Sequence, residues 1–144
     1  MKDKSKELDT SLTLINDKLN FIGSNGYNDP ISIDYLPPLG DNLGYTSLEL
    51  LLLSLSSCIG SAVLTFLRKM NREISFCKIN AKGLRREEHP TCFSKIIVEI
   101  SVGSSNVTDE DMAKVIQLSE DKYCPVYAMI KGNAEINIEY KIEN

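Results

Sequence analysis

The sequence predicts an α+β fold in which mostly antiparallel strands are built around one long apolar helix. Three observations carry this. The run from Tyr45 to Met70 contains no proline and is apolar through most of its length. Two later stretches, 96–102 and 134–142, alternate apolar and polar residues as half-buried strands do. Between the periodic segments, Pro, Gly, Asn and Asp collect in short breaks such as LPPLGDNLG.

The elements follow in order. Ser11–Ile15 and Lys18–Ile22 read as short strands, with Asn16-Asp17 between them as a tight hairpin turn. Gly23-Ser24-Asn25-Gly26 breaks the pattern, and Ile31-Ser32-Ile33 resumes it. After the irregular loop, Thr46-Ser47-Leu48-Glu49 has the form of a capping box, a hydroxyl followed three residues later by a carboxylate. A helix of about 24 residues, roughly 36 Å long, then runs to Arg68 and Lys69, cations suited to its C-terminal dipole. Its leucines go round most of the circumference, which predicts burial on nearly all sides. One strip differs: Ser54, Ser57, Cys58, Ser61, Ala62 and Thr65 are small and recur at helical spacing. The length approaches that of a membrane span, but the serines, the threonine and the glutamate argue for a central helix instead.

Beyond Met70, Ile74–Leu84 and the strand holding Ile96, Val98, Ile100 and Val102 form a pair joined by the charged turn RREEHP. His89 in that turn reads as solvated. Thr108-Asp109-Glu110-Asp111 starts a second helix. Pro125 suits the first position of a third, short helix that ends at Gly132, which places Cys124 at its N-cap. The last strand alternates Ile136, Ile138, Tyr140 and Ile142 with polar residues.

The 144 residues fit a single domain with a polar tail over residues 1–10. A net charge of −4 leaves no electrostatic footprint for nucleic acid or an anionic membrane, and neither is expected as a partner. MKDKSKELDTS has none of the layout of a secretion signal, so a cytoplasmic protein with reduced thiols is expected. Cys58, Cys77, Cys92 and Cys124 then do not form a disulfide framework. With no CxxC pair and His89 the sole histidine, neither zinc nor any other cofactor is expected.

Local physics treats the thiols unequally. An N-cap thiol points at free backbone N–H groups, which favour thiolate, so Cys124 has a local reason to be reactive. Cys58 lies mid-helix in an apolar run, where burial raises a thiol pKa and packing as a small hydrophobe is the ordinary outcome.

The segments SLELLLLSLSSCIG, KGLRREEHP and EDKYCPVYAMIKGNAEI resemble the OsmC/Ohr family, and within it the YhfA-like branch, from about Gly44 to the C-terminus. The resemblance implies an OsmC-like fold with antiparallel sheets around two long central helices in an intertwined homodimer. It also implies a thiol peroxidase acting on small organic hydroperoxides in oxidative-stress defence. By motif, Cys58 matches the peroxidatic cysteine and Cys124 the resolving one, with a dithiol reductant, lipoyl-type or other, restoring both. Two departures bear on this. Active members carry an arginine in the N-terminal region, whereas here no arginine precedes Arg68. They also carry a glutamate ten residues before the cysteine, where this chain has Leu48 and places Glu49 one position later. Glu49 then reads first as the capping-box acid, and Arg85 or Arg86 as candidates to supply the missing cation. The rival reading is a non-catalytic OsmC-like dimer that binds a small apolar ligand or senses redox state.

Overall fold

The computed structural model describes residues 6–144. Residues 1–5 of the expected polar tail lie outside the described residues, and 6–10 are exposed. The chain divides into two compact units that meet in sequence at Leu51/Leu52.

The first unit holds a three-stranded antiparallel sheet, β1 (Ser11–Leu14), β2 (Phe21–Ser24) and β3 (Ile31–Ile33), in that order. The predicted hairpin is present, but its turn is not the two residues Asn16-Asp17. Leu14 pairs with Phe21, and the Asn16 side chain organises the longer connection by accepting from Lys18 N and Asn20 N, both at 3.0 Å. Gly23 and Ser24, read from sequence as a break, are paired residues of β2. The Pro- and Gly-rich loop that follows is gathered around buried Asp34, whose carboxylate accepts from the backbone of Tyr35, Asp41 and Leu43. Those donors hold its pKa below the ordinary carboxylate value against the opposing effect of burial. The loop closes at Tyr45, bridged to Ile33, and the capping box of the long helix starts there.

That helix, α1 (Ser47–Lys69), has the predicted extent. Thr46 N donates to Glu49 Oε1 at 2.9 Å and Glu49 N to Thr46 Oγ1 at 3.3 Å, which is the reciprocal box. Burial on nearly all sides is not what the chain shows. Leu55, Ile59, Val63 and Leu67 are buried, at four-residue spacing, while Leu51 and Leu53 are exposed. One stripe therefore packs, while Leu51, a turn before it, and Leu53, on the opposite face, are left exposed by the described residues. By length and composition alone α1 could cross a membrane, with a mean hydropathy of 2.1. The buried face, with Gly60 set so that even a Cβ would come within 2.7 Å of Ile79 Cδ1, is that of a helix packed on protein.

The second unit adds a sheet of β4 (Phe76–Arg85), β5 (Phe93–Gly103) and β6 (Glu135–Glu143), with β5 in the middle. β4 and β5 are antiparallel as predicted, but β6 runs parallel to β5, so the sheet is mixed rather than antiparallel. Ile96, Val98, Ile100 and Val102 are all buried, in keeping with the alternation. α2 (Asp109–Leu118) is ten residues long, so among the described residues one helix is long, not two. Its N-terminus is a second capping box between Thr108 and Asp111, and Asp111 also meets Arg72, just beyond α1, at 2.7 Å. A π-helical turn, Ser119–Tyr123, continues α2 as far as the residue before Cys124. A final helix, α3 (Pro125–Ile130), leads to Gly132, whose φ of +88° is the left-handed conformation that glycine adopts freely.

Candidate functional site

Two helical elements bring the site together. α1 presents Cys58, half-buried, from the middle of its length. Cys124 is the single extended residue (φ −109°, ψ 98°) between the π-helical turn and α3. It is the N-cap of α3 as the sequence predicts, and its Sγ accepts the Tyr127 backbone N–H at 3.3 Å. The Cys58 thiol is near enough to Cys124 to act on its ionisation, and all four cysteines are free.

Burial opposes the activation that the N-cap position predicts for Cys124. Its backbone donors, Tyr127 and Val126, do favour thiolate, but burial outweighs them and the adjacent Cys58 thiol adds to it, so the Cys124 thiol is pushed up to about 12. Burial thus keeps the Cys124 thiol in its protonated form at neutral pH. Around them, burial also raises the pKa of half-buried Glu120, and the Tyr127 phenol is raised by burial and by the nearby carboxylates of Glu120 and Asp121.

The other candidates are placed elsewhere. Glu49 is engaged in the capping box, and the Thr46 backbone and hydroxyl hold its carboxyl below the ordinary range. Arg85 and Arg86 serve the β4–β5 hairpin: Arg85 bonds Thr91 O and Oγ1, and Arg86 Nε donates to Pro90 O at 2.6 Å. Neither guanidinium is among the groups acting on Cys124. The small-residue strip of α1 does not enclose the thiols. Ser57, Ser61 and Thr65 line an open groove of about 540 Å³ with Arg68, Cys77 and Ile79. The Cys77 thiol there is pushed up by burial, with Arg68 opposing. Among the described residues no cluster of three or more His, Cys, Asp or Glu could hold a metal ion.

Sequence reasoning missed the contact that joins the two elements. Phe66 of α1 and Tyr123 of the π-helical turn pack with ring centroids 4.7 Å apart and planes at 57°. Tyr123 adjoins Cys124 in sequence, and that was the available signal.

A two-unit α+β chain with one long helix and a paired, unequal set of thiols defines a class of cysteine-bearing small proteins. The profile of the OsmC-like protein family matches residues 40–139, and the chain belongs to that family. It is 27% identical over 124 residues to the protein YhfA of Escherichia coli K12, covering 86% of this chain and 90% of YhfA. A hypothetical protein from Aquifex aeolicus VF5 has a crystal structure similar to this one at a TM-score of 0.83 and 28% identity, over 96% of this chain and 98% of that one. The organic hydroperoxide resistance protein OhrB of Bacillus subtilis shares the fold at a TM-score of 0.63 and 17% identity, over 92% of this chain and 96% of OhrB.

Proposed function

We propose that this protein is a thiol-dependent peroxidase that reduces organic hydroperoxides in oxidative-stress defence, with Cys58 attacking and Cys124 resolving. The nearness of the Cys58 thiol to the buried Cys124 thiol, whose pKa it helps to raise, is the observation that carries this reading. Membership of a family whose fold OhrB shares supports the substrate class.

The Cys58 thiolate attacks the terminal peroxide oxygen and the O–O bond breaks. The alkoxide leaves with the bonding pair and takes up a proton, giving an alcohol and a Cys58 sulfenic acid. Cys124 sulfur then attacks Cys58 sulfur, and hydroxide leaves with the Cys124 proton as water. A dithiol reductant, lipoyl-type or other, returns both thiols by exchange and is itself oxidised to a disulfide. The raised pKa of Cys124 suits its part: it does not compete for the peroxide, and it retains the proton that the departing hydroxide needs.

The working form in this reading is a cytoplasmic homodimer. Exposed Leu51 and Leu53 on α1, with Leu12, Leu14, Leu36 and Leu39 in the first unit, are apolar surface that a second copy would cover. Sedimentation showing a monomer at micromolar concentration would remove that part of the proposal.

The chemical test is stoichiometric cumene hydroperoxide followed by peptide mass spectrometry. A Cys58–Cys124 linked peptide, with Cys77 and Cys92 still reduced, is the expected product, and Cys58→Ser abolishes it. Thiols that stay reduced under the peroxide would turn the reading to the non-catalytic dimer, which the absence of arginine before Arg68 also favours.

A further inference from the structure

We propose that Tyr123 is the positioning residue for closure of the Cys58–Cys124 disulfide, through its ring contact with Phe66. The inference deepens the two-cysteine reading and rests on it for its place in the reaction.

Cys124 sits at a pivot. It is the one extended residue between two helical segments, so its two backbone torsions set where Sγ lies. Two bonds restrain it within its own neighbourhood. Its N–H donates to Ser119 O at 3.0 Å, and its Sγ accepts from Tyr127 N at 3.3 Å. Both fix Cys124 to the turn and to α3, and neither ties it to α1, which carries Cys58.

The Phe66–Tyr123 pair supplies that tie. Phe66 follows Cys58 by eight residues, roughly 12 Å along the axis at helical rise, and helical side chains lean back toward the N-terminus, here toward Cys58. Lys69 Nζ lies over the Phe66 ring, 5.5 Å from its centroid, and adds a second contact to it. The π-helical turn sets the register. It is one residue wider than an α-helical turn, and without the extra residue Tyr123 would be carried about 100° round and away from Phe66. Short π segments recur at functional sites for this kind of re-aiming. The consequence is chemical: closure needs the two sulfurs aligned, and a misplacement of about 1 Å can cost up to 10²-fold in rate.

The test measures the effective concentration of the thiol pair, from its disulfide equilibrium with a glutathione redox buffer, and separately the rate of closure after cumene hydroperoxide. Tyr123→Ala is expected to lower both by about tenfold. In the peroxide arm Cys58 sulfenic acid, trapped by dimedone, should accumulate. Tyr123→Phe keeps the ring and should retain wild-type values in both arms. Phe66→Leu removes the other ring and should repeat the Tyr123→Ala result, which guards against a folding defect peculiar to one variant. Tyr123 is itself 37% exposed, so its truncation leaves no large core cavity. Wild-type effective concentration in Tyr123→Ala, or a loss in Tyr123→Phe as large as in Tyr123→Ala, overturns the inference. The glutathione arm needs no peroxide. A wild-type protein inert to peroxide would sink the peroxidase reading, while the glutathione comparison would still decide the role of Tyr123.

Discussion

Replacing Arg72 tests the other link between α1 and the segment that carries Cys124. Arg72 lies just past the helix, and its guanidinium meets Asp111 in the first turn of α2, with Nε 2.7 Å from Oδ2 and Nη2 donating to Oδ1 at 3.2 Å. The Nε contact is close but poorly aimed as a hydrogen bond, so the pair acts through charge and through Nη2. Asp111 is at the same time the acceptor of the capping box, taking Thr108 N at 3.0 Å. Its side chain is 10% exposed and that of Arg72 is 32% exposed, which places the pair between a surface and a buried ion pair. A charge-assisted hydrogen bond contributes about 1.5–3 kcal/mol and exposed pairs about 0–1. Arg72→Ala should therefore cost about 1–2 kcal/mol. Asp111→Ala removes the reciprocal cap bond as well, about 1 kcal/mol more. The double variant should be less destabilised than the sum, by a coupling of about 1 kcal/mol. Urea unfolding at pH 7 reads these values, and each kcal/mol should move Tm by about 3 °C.

The pH dependence has a definite sign. Arg72 first, and then the Thr108 backbone, lower the Asp111 pKa, so the stabilisation is present above the ordinary carboxylate value of about 3.9 and is lost as pH falls through the lower folded value. The gap between wild type and Arg72→Ala should be constant from pH 7 to about 4 and shrink below it. A gap of the same size at pH 3, or strictly additive single variants, would refute the charge-pair reasoning and reduce Arg72 to a packing residue.

Three further outcomes follow from the same geometry. Because burial and Cys58 raise the Cys124 pKa to about 12, folding stability should decline as pH rises from about 8.5 toward 12, and Cys124→Ser should flatten part of that slope in urea titrations at pH 8, 9 and 10. In native protein, Cys124 should alkylate far more slowly than exposed Cys92 at pH 8, with equal rates in denaturant by mass spectrometry. Thr46→Ala should cost about 1 kcal/mol through loss of the cap, whereas Glu49→Ala should leave the rate of Cys58–Cys124 closure unchanged; a tenfold slowing in Glu49→Ala would return Glu49 to the site.

Features written in local chemistry were legible in the sequence. The bounds of α1, the Thr46–Glu49 box, Cys124 as an N-cap and the alternation of β5 and β6 depend on residues within one or two turns of each other, and all are present. Alternation states which residues face the core and says nothing of strand direction, so the parallel pairing of β6 on β5 was not readable from it. The hairpin turn was misjudged because the Asn16 side chain, which mimics a backbone acceptor, closes a longer loop than the dipeptide suggests. The circumference of leucines on α1 was read as burial, yet the described residues bury Leu55, Ile59, Val63 and Leu67 and leave Leu51 and Leu53 exposed.

The candidate site shows the same division between local and distant causes. The N-cap argument for Cys124 was correct in its geometry and in its sign, since Tyr127 and Val126 do lower the thiol pKa. It failed on magnitude, because burial depends on what packs over the cap from remote parts of the sequence, and here burial is the larger effect. A thiol placed where local donors favour ionisation, then buried until it stays protonated, is poorly suited to attack at neutral pH. It can still give up its proton at the moment a leaving hydroxide appears on the sulfur beside it. The environment of Cys124 is thus set by distant packing as well as by its place at the helix start, and the proposal that Cys58 attacks takes its support from that environment.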